Sequence, residues 1–251
     1  MVDIWREKVT VRFGSVDRSD RLTLWSIFNF FQEAAISHAE DLGVGRDDML
    51  RNGQVWIISR FSLVVERRPA SGETVQVSTW PRRWEKLFAL RDYEIRDAED
   101  RSLVRGRSAW LVLDVEKRRP LRAQSVMEKL PPNDGIDAFP EGAAALFPRE
   151  NLVKKGSRTA LYSDIDYNGH ANNARYIQWI QDATDVDLLT NSSQTRLDIN
   201  YLSEVRPGET VELWTAALED MEKDKKPFFA YEGRRPESNQ AVFRAELRPG
   251  A

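Results

Sequence analysis

Cysteine is absent from the 251-residue chain, and histidine occurs only twice, at His38 and His170. Without cysteine there is no disulfide, no thiol nucleophile and no cysteine metal site. Two histidines so far apart in sequence also argue against a histidine-rich metal centre. No stretch approaches the ~18 apolar residues of a membrane span. The opening, MVDIWREKVTV, lacks the apolar core of a signal peptide. Charge is nearly balanced: 37 Lys and Arg against 40 Asp and Glu leave a net −3. A general nucleic-acid or membrane-surface role therefore has no electrostatic support. What is present, 41% hydrophobic and 31% charged residues, reads as a soluble globular chain of one large or two small domains. A cytoplasmic setting is the expectation, and no cofactor is implied.

Residues 128–156, EKLPPNDGIDAFPEGAAALFPRENLVKKG, hold four of the eleven prolines and little periodicity. They read as a connection between two halves, so a search for an internal repeat is warranted. Shifting by 149 positions lays TVRFGSVDRSDRLTLWSIFNFFQEA (Thr10–Ala34) on TALYSDIDYNGHANNARYIQWIQDA (Thr159–Ala183) without a gap. Thr10 meets Thr159, Asp17 meets Asp166, Gln32 meets Gln181 and Ala34 meets Ala183. Further on, RRPASGETVQVSTW matches VRPGETVELWTA with two residues deleted. The chain is read as two fused copies: residues 1–130, a linker 131–156, and residues 157–251.

Each copy has one outline. A short strand (Lys8–Phe13; Arg158–Tyr162) enters a polar turn and then a long helix. Leu24, Ile27, Phe28, Phe31 and Ala35 recur at helical spacing, and Gly43 marks the helix stop. Tyr176, Ile177, Ile180 and Ala183 are the counterparts. Strands are expected at 56–66, 74–80, 87–97 and 103–114, and again at 195–203, 210–219, 228–234 and 241–247. Charged hairpin turns are expected at Asp97–Asp100 and Asp220–Lys226. One helix and about five antiparallel strands per copy give an α+β architecture with each sheet wrapped around its helix.

The segment Ser163–Trp179, SDIDYNGHANNARYIQW, concentrates Asp166, Asn168 and His170 within five residues. Alone, such a turn before a helix is a common capping arrangement, and a lone histidine there is more often structural. The full line Asp-x-Asp-x-Asn-x-His-x-Asn-Asn-x-x-Tyr-x-x-Trp, Asp164 to Trp179, resembles the acyl-acyl carrier protein thioesterases. Those are plant and bacterial enzymes that release fatty acids from the carrier and contain two hotdog halves. The resemblance extends over nearly the whole chain, including SRFSLVVERRP and WLVLDVEKRRP. It implies a tandem (double) hotdog fold, in which each half has a long central helix wrapped by a curled antiparallel sheet. It also implies hydrolysis of acyl thioesters, with Asp166, Asn168 and His170 on the family's catalytic positions and Glu204, in INYLSEVRPGE, on its downstream carboxylate. The implied partner is an acyl carrier protein bearing a fatty acyl phosphopantetheine thioester. Many plant members carry a cysteine beside that carboxylate, whereas here Val205 stands there, which removes a thiol mechanism.

The residue chemistry is consistent with those roles. A thiol of pKa ~8.5 leaves readily, so a thioester needs little beyond a nucleophile and an oxyanion stabiliser. Asn168-Gly169 reads as a turn at the helix start with unpaired amides and a positive dipole end. Glu204 is the expected general base on water, His170 its partner in one network, and Asn168 a donor or a water-positioning group. Asp166 is expected to hold His170 or Asn168, with direct attack by Asp166 as the open alternative.

At the 149 offset, Ser19 replaces Asn168 and Arg21 replaces His170, so the first copy reads as the cargo half and the second as the catalytic half. The stripe Trp25, Phe28, Phe30 and Phe31 reads as core, part of it a candidate lining for an acyl pocket. His38, near Glu33 and Asp41, reads as a satisfied or solvent-facing histidine. The basic runs EKRRPLR (116–122) and VKKGSR (153–158) read as solvated faces or as docking sites for an acidic carrier. Another hotdog enzyme (an acyl-CoA thioesterase or a dehydratase) and a non-catalytic acyl-binding protein are the other readings. A two-copy chain mimics a dimer of single hotdogs, so monomer and homodimer both fit.

Overall fold

The computed structural model describes residues 3–250 except 123, 129, 132, 134, 140, 142, 193 and 220–227. The expected hairpin turn Asp220–Lys226 lies outside the described residues. The first half runs β1 (Trp5–Thr10), α1 (Leu24–Asp41), α2 (Arg46–Arg51), β2 (Gln54–Val65), β3 (Thr74–Glu85), β4 (Phe88–Arg96) and β5 (Ser102–Asp114). The short β6 (Arg119–Leu121) and α3 (Gln124–Met127) follow. The second half runs β7 (Val153–Thr159), α4 (Asn173–Ala183), α5 (Val186–Asn191), β8 (Thr195–Tyr201), β9 (Thr210–Leu218), β10 (Phe228–Arg234) and β11 (Ala241–Pro249). Each half is one long helix against five antiparallel strands, an α+β tandem hotdog arrangement.

The two sheets are one. Strand order is β1-β3-β4-β5-β2-β8-β11-β10-β9-β7, with β6 added to β5. Read from either end, counterpart strands occupy counterpart places, and the antiparallel pair β2–β8 forms the seam. There Phe61 faces Ile199 and Leu63 faces Leu197, all four buried. Alternation along each strand sends these side chains to the helix face. On that face they meet Ile27, Phe28 and Phe31 of α1 and Ile177 and Ile180 of α4 in a single core. The helices touch each other as well: the Trp25 amide donates to Gln181 Oε1 at 2.8 Å.

The repeat is visible in the backbone. Thr23 caps α1 by accepting from the Ser26 amide, and Asn172, 149 positions on, caps α4 by accepting from the Ala174 amide. The Thr23 amide donates to Ser15, and the Asn172 amide donates to Asp164. Even the left-handed residue repeats, as Asp20 at φ 56° and Gly169 at φ 80°.

Two expectations shift. β7 begins at Val153 rather than Arg158, so the last residues of the expected linker are strand. The gap placed in RRPASGETVQVSTW is not used either. Leu22 donates to Pro69 and Ala171 to Val205, while Val11 donates to Glu73 and Ala160 to Glu209. This spacing equates Arg68 with Glu204, not with Arg206.

The connection crosses the sheet face opposite the helices, held by side chains that point that way. The Ala144 amide donates to Ser62 Oγ at 3.0 Å, Leu146 to Asn200 Oδ1 at 2.8 Å and Ala138 to Asp92 Oδ2 at 3.0 Å. Covered backbone needs such partners, and here buried polar side chains supply them.

Candidate active site

The polar turn of the second half is built by its own backbone. The Asp166 amide donates to the His170 carbonyl at 2.9 Å, and the Gly169 amide donates to the Asp166 carbonyl at 3.0 Å. An isolated bridge between Ile165 and Ala171 closes the loop. Gly169, at φ 80°, takes the left-handed position that makes the reversal. Asp166 Oδ1 accepts the Asn168 amide at 2.8 Å, so this carboxylate shapes the turn. A further bond, from the Ala171 amide to the Val205 carbonyl at 2.8 Å, ties the turn to the segment carrying Glu204.

That tie brings two distant residues together. His170 Nε2 lies 3.0 Å from Glu204 Oε2, with the histidine side chain 29% and the glutamate 49% exposed. Val205 between the two segments is fully buried. Arg235, which sequence reading passed over, supports Glu204 from behind. Its Nη2 donates to the Glu204 carbonyl at 2.7 Å and its Nη1 to Glu209 Oε2 at 2.8 Å. Tyr176 of α4 lies beneath, its hydroxyl 3.5 Å from the Ser203 carbonyl. Burial pushes the Tyr176 hydroxyl pKa up, so it is a neutral donor near neutral pH. The first half reaches the turn through Arg46, whose guanidinium sits 5.2 Å from the Tyr167 ring centroid.

Three sequence expectations need correction. The turn does not open the helix: α4 starts at Asn173 and is capped by Asn172. The amides of Asn168 and Gly169 are engaged inside the turn, whereas the His170 amide has no partner among the described residues. An oxyanion would be met by that amide, not by the Asn168-Gly169 pair. The Asn168 side chain is exposed and makes no hydrogen bond among the described residues, so it is open to solvent or substrate. Nor is His38 solvent-facing: it is fully buried in the first half.

The counterpart turn has the same backbone and different chemistry. Asp17 Oδ1 accepts from the Ser19 amide and hydroxyl at 2.9 and 2.6 Å. Arg68, in the place of Glu204, pairs with Asp17. Burial alone would raise the Asp17 carboxyl pKa, but the Ser19 and Arg68 bonds hold it below the usual value. Where one half sets a histidine against a half-exposed carboxylate, the other has an arginine–aspartate ion pair. Among the described residues no group of three or more His, Asp or Glu could hold a metal ion.

The acyl-ACP thioesterase N-terminal domain profile matches residues 3–129, and the C-terminal domain profile matches residues 153–244. The chain belongs to the acyl-ACP thioesterase family. Acyl-[acyl-carrier-protein] hydrolase FATB2, chloroplastic, of Cuphea viscosissima is 25% identical over 85% of this chain and 55% of that protein. A chloroplastic palmitoyl-acyl carrier protein thioesterase of Cuphea hookeriana is 25% identical over 85% of this chain and 54% of that protein. The chain thus spans about half the length of these curated relatives. Among solved structures, an acyl-ACP thioesterase of Bacteroides thetaiotaomicron superposes with TM-score 0.84 at 24% identity, covering 98% of this chain and 97% of that one. The 12:0-ACP thioesterase of Umbellularia californica gives 0.80 at 22% identity, covering 98% and 94%. These structures share the fold. Among the described residues, no helix of this family member is long and apolar enough to cross a membrane.

Proposed function

We propose that the chain hydrolyses the thioester of fatty acyl-acyl carrier protein, releasing the free acid, at one centre formed by His170 and Glu204 with Asn168 and Asp166. The observation that carries this reading is the 3.0 Å contact of His170 Nε2 with Glu204 Oε2, set against the Asp17–Arg68 pair in the first half. With Oε2 against the histidine, Glu204 Oε1 remains for a water, which it would deprotonate as that water attacks the thioester carbonyl. His170 holds the carboxylate in place and shares the proton. The His170 backbone amide and the exposed side-chain carboxamide of Asn168 are the donors for the developing oxyanion. The thiolate of the carrier's prosthetic arm then leaves. Asp166 keeps the turn in shape through the Asn168 amide, which supports a positioning role over a nucleophilic one.

The family supports an acyl carrier protein as partner. The cytoplasmic setting expected from the sequence belongs to the same proposal, as does action as a monomer or homodimer. The curated plant relatives carry "chloroplastic" in their own names.

Rapid quenching of a reacting mixture followed by intact-mass measurement tests the water mechanism. No acyl-enzyme is expected, and Glu204→Gln should lower turnover by about 10²-fold or more. An acyl adduct that disappears in Asp166→Ala would transfer the nucleophile's role to Asp166.

A further inference from the structure

The residue between Asp166 and Asn168 in the catalytic turn is Tyr167, and 149 positions earlier stands Arg18. Both side chains leave their own half. Arg18 crosses to α5 of the second half, where its Nη2 pairs with Asp187 and lies 3.5 Å from Thr190 Oγ1. Arg68 adds a bond from its Nη2 to the Leu189 carbonyl at 3.0 Å. Tyr167 crosses to α2 of the first half, where the Arg46 guanidinium sits 5.2 Å from its ring centroid. The short helices correspond as well, since Asp47 is the second residue of α2 as Asp187 is of α5. A tether from the middle of each turn to the short helix of the other half is thus part of the repeat.

The two tethers differ in kind. The first-half turn is held by an ion pair and two further polar contacts. In the second half Glu204, in the place of Arg68, points its carboxylate at His170 instead. Among the described residues, the ring contact with Arg46 is the only hydrogen bond, ion pair or ring contact between residues 163–171 and the first half. Arg46 is itself fixed: its amide donates to Glu40 Oε1 at 3.4 Å and its Nη1 to Asp47 Oδ1 at 3.3 Å. Packing does not require the pair, for the Arg46 side chain is 46% exposed and Tyr167 63%. An exposed cation–ring contact adds little to global stability. What it can set is the lie of a short turn. The neighbours of Tyr167 along that turn, the Asn168 side chain and the His170 amide, are the proposed oxyanion donors, and such donors act only if placed before the reaction.

We propose that Arg46 is a positioning residue for the reaction: through Tyr167 it holds the catalytic turn, and so aims Asn168 and the His170 amide at the thioester carbonyl. This rests on the thioesterase reading, and the test keeps the two apart.

The test has two arms, both on the full chain. Without substrate, amide-resolved hydrogen exchange reads the bonds that close the turn, at Asp166, Asn168 and Gly169. In Arg46→Ala those amides should exchange about 2- to 5-fold faster, as loss of a surface cation–π contact allows, with the urea midpoint close to the parent's. With acyl-acyl carrier protein as substrate, kcat should fall by a similar factor while KM stays nearly unchanged, because the displaced groups act on the transition state. Arg46→Lys, which keeps a cation over the ring, should recover most of the loss, and Tyr167→Phe should show little. Tyr167→Leu should reproduce the loss, and adding Arg46→Ala to it should cost nothing more. Parental exchange in Arg46→Ala, or losses that add fully in the double variant, overturns the proposal. So does an effect confined to KM, which would make Arg46 a contact of the carrier or its arm. If the parent releases no acid from any carrier, the thioesterase reading fails, and the exchange arm alone decides whether Arg46 holds the turn.

Discussion

His38 sets a measurable acid sensitivity. Burial, and next the positive charge of Arg91, lower its pKa from 6.5 to about 4, against the opposing pull of Asp3 and Asp41. A base whose folded pKa lies below its unfolded one binds fewer protons in the native state, so stability falls as pH drops from 6.5 towards 4. With 6.5 unfolded and about 4 folded, linkage gives a loss of about 2 kcal/mol between pH 7 and pH 5 from this group. In His38→Gln the amide oxygen can still accept from Arg91, but nothing there titrates. Urea denaturation of both proteins at pH 7 and pH 5 isolates the effect, because carboxylates held low elsewhere, such as Asp17 and Glu73, contribute equally to both. The variant should lose about 2 kcal/mol less than the parent on acidification. If both lose the same amount, the buried histidine does not resist protonation and the reasoning fails.

Other outcomes follow from the two halves. A Cβ on Gly233 would stand 2.2 Å from Phe243 Cε1 and 2.9 Å from Val211 Cγ1, so Gly233→Ala should cost about 1–3 kcal/mol; an unchanged melting temperature would show that the ring yields freely. Asp17→Ala leaves the buried Arg68 without its carboxylate and should destabilise by about 3–5 kcal/mol, read as a lowered urea midpoint. Ser19→Ala with Arg21→Ala should leave the chemical step nearly untouched, since the Ser19 hydroxyl serves Asp17 and Arg21 serves the Asp20 carbonyl, both within the first-half turn; a double variant as inactive as His170→Ala, yet folded, would mean that both turns are active. Enlarging the buried Ala35 on α1 should shift the preferred acyl length, measured as turnover against chain length.

Much of the architecture was legible because the repeat is carried by residues with local mechanisms. Thr23 and Asn172 are both good caps, and Asp17 and Asp166 both accept from a nearby amide in their turn. The helical stripe of Phe28, Phe31 and Ala35 was readable for the same reason, since its period is intrinsic to the chain. The His170–Glu204 contact was not readable from spacing. It depends on the Ala171–Val205 bond, which joins segments more than thirty residues apart. The equivalence of Arg68 with Glu204 was hidden by a matching Arg-Pro pair two residues out of register, which sequence similarity favoured over geometry. The helix start was misplaced because Gly169 looks like an entry to a helix, while Asn172 does the capping. His38 was legible only as satisfied or solvent-facing, because its neighbours on α1 do not choose between the two, and only the packing of β3 and β4 decides which way it faces. The seam between β2 and β8 leaves no mark beyond ordinary strand alternation.

The most direct measurement of the central claim is release of free fatty acid from a panel of acyl-acyl carrier proteins, by the parent and by His170→Ala. The account predicts steady turnover by the parent on some chain lengths. It predicts a fall of about 10²-fold or more in the folded variant, as loss of a positioned acid–base group requires. No release by the parent at any chain length, or near-parental turnover by His170→Ala with saturating substrate, would contradict it.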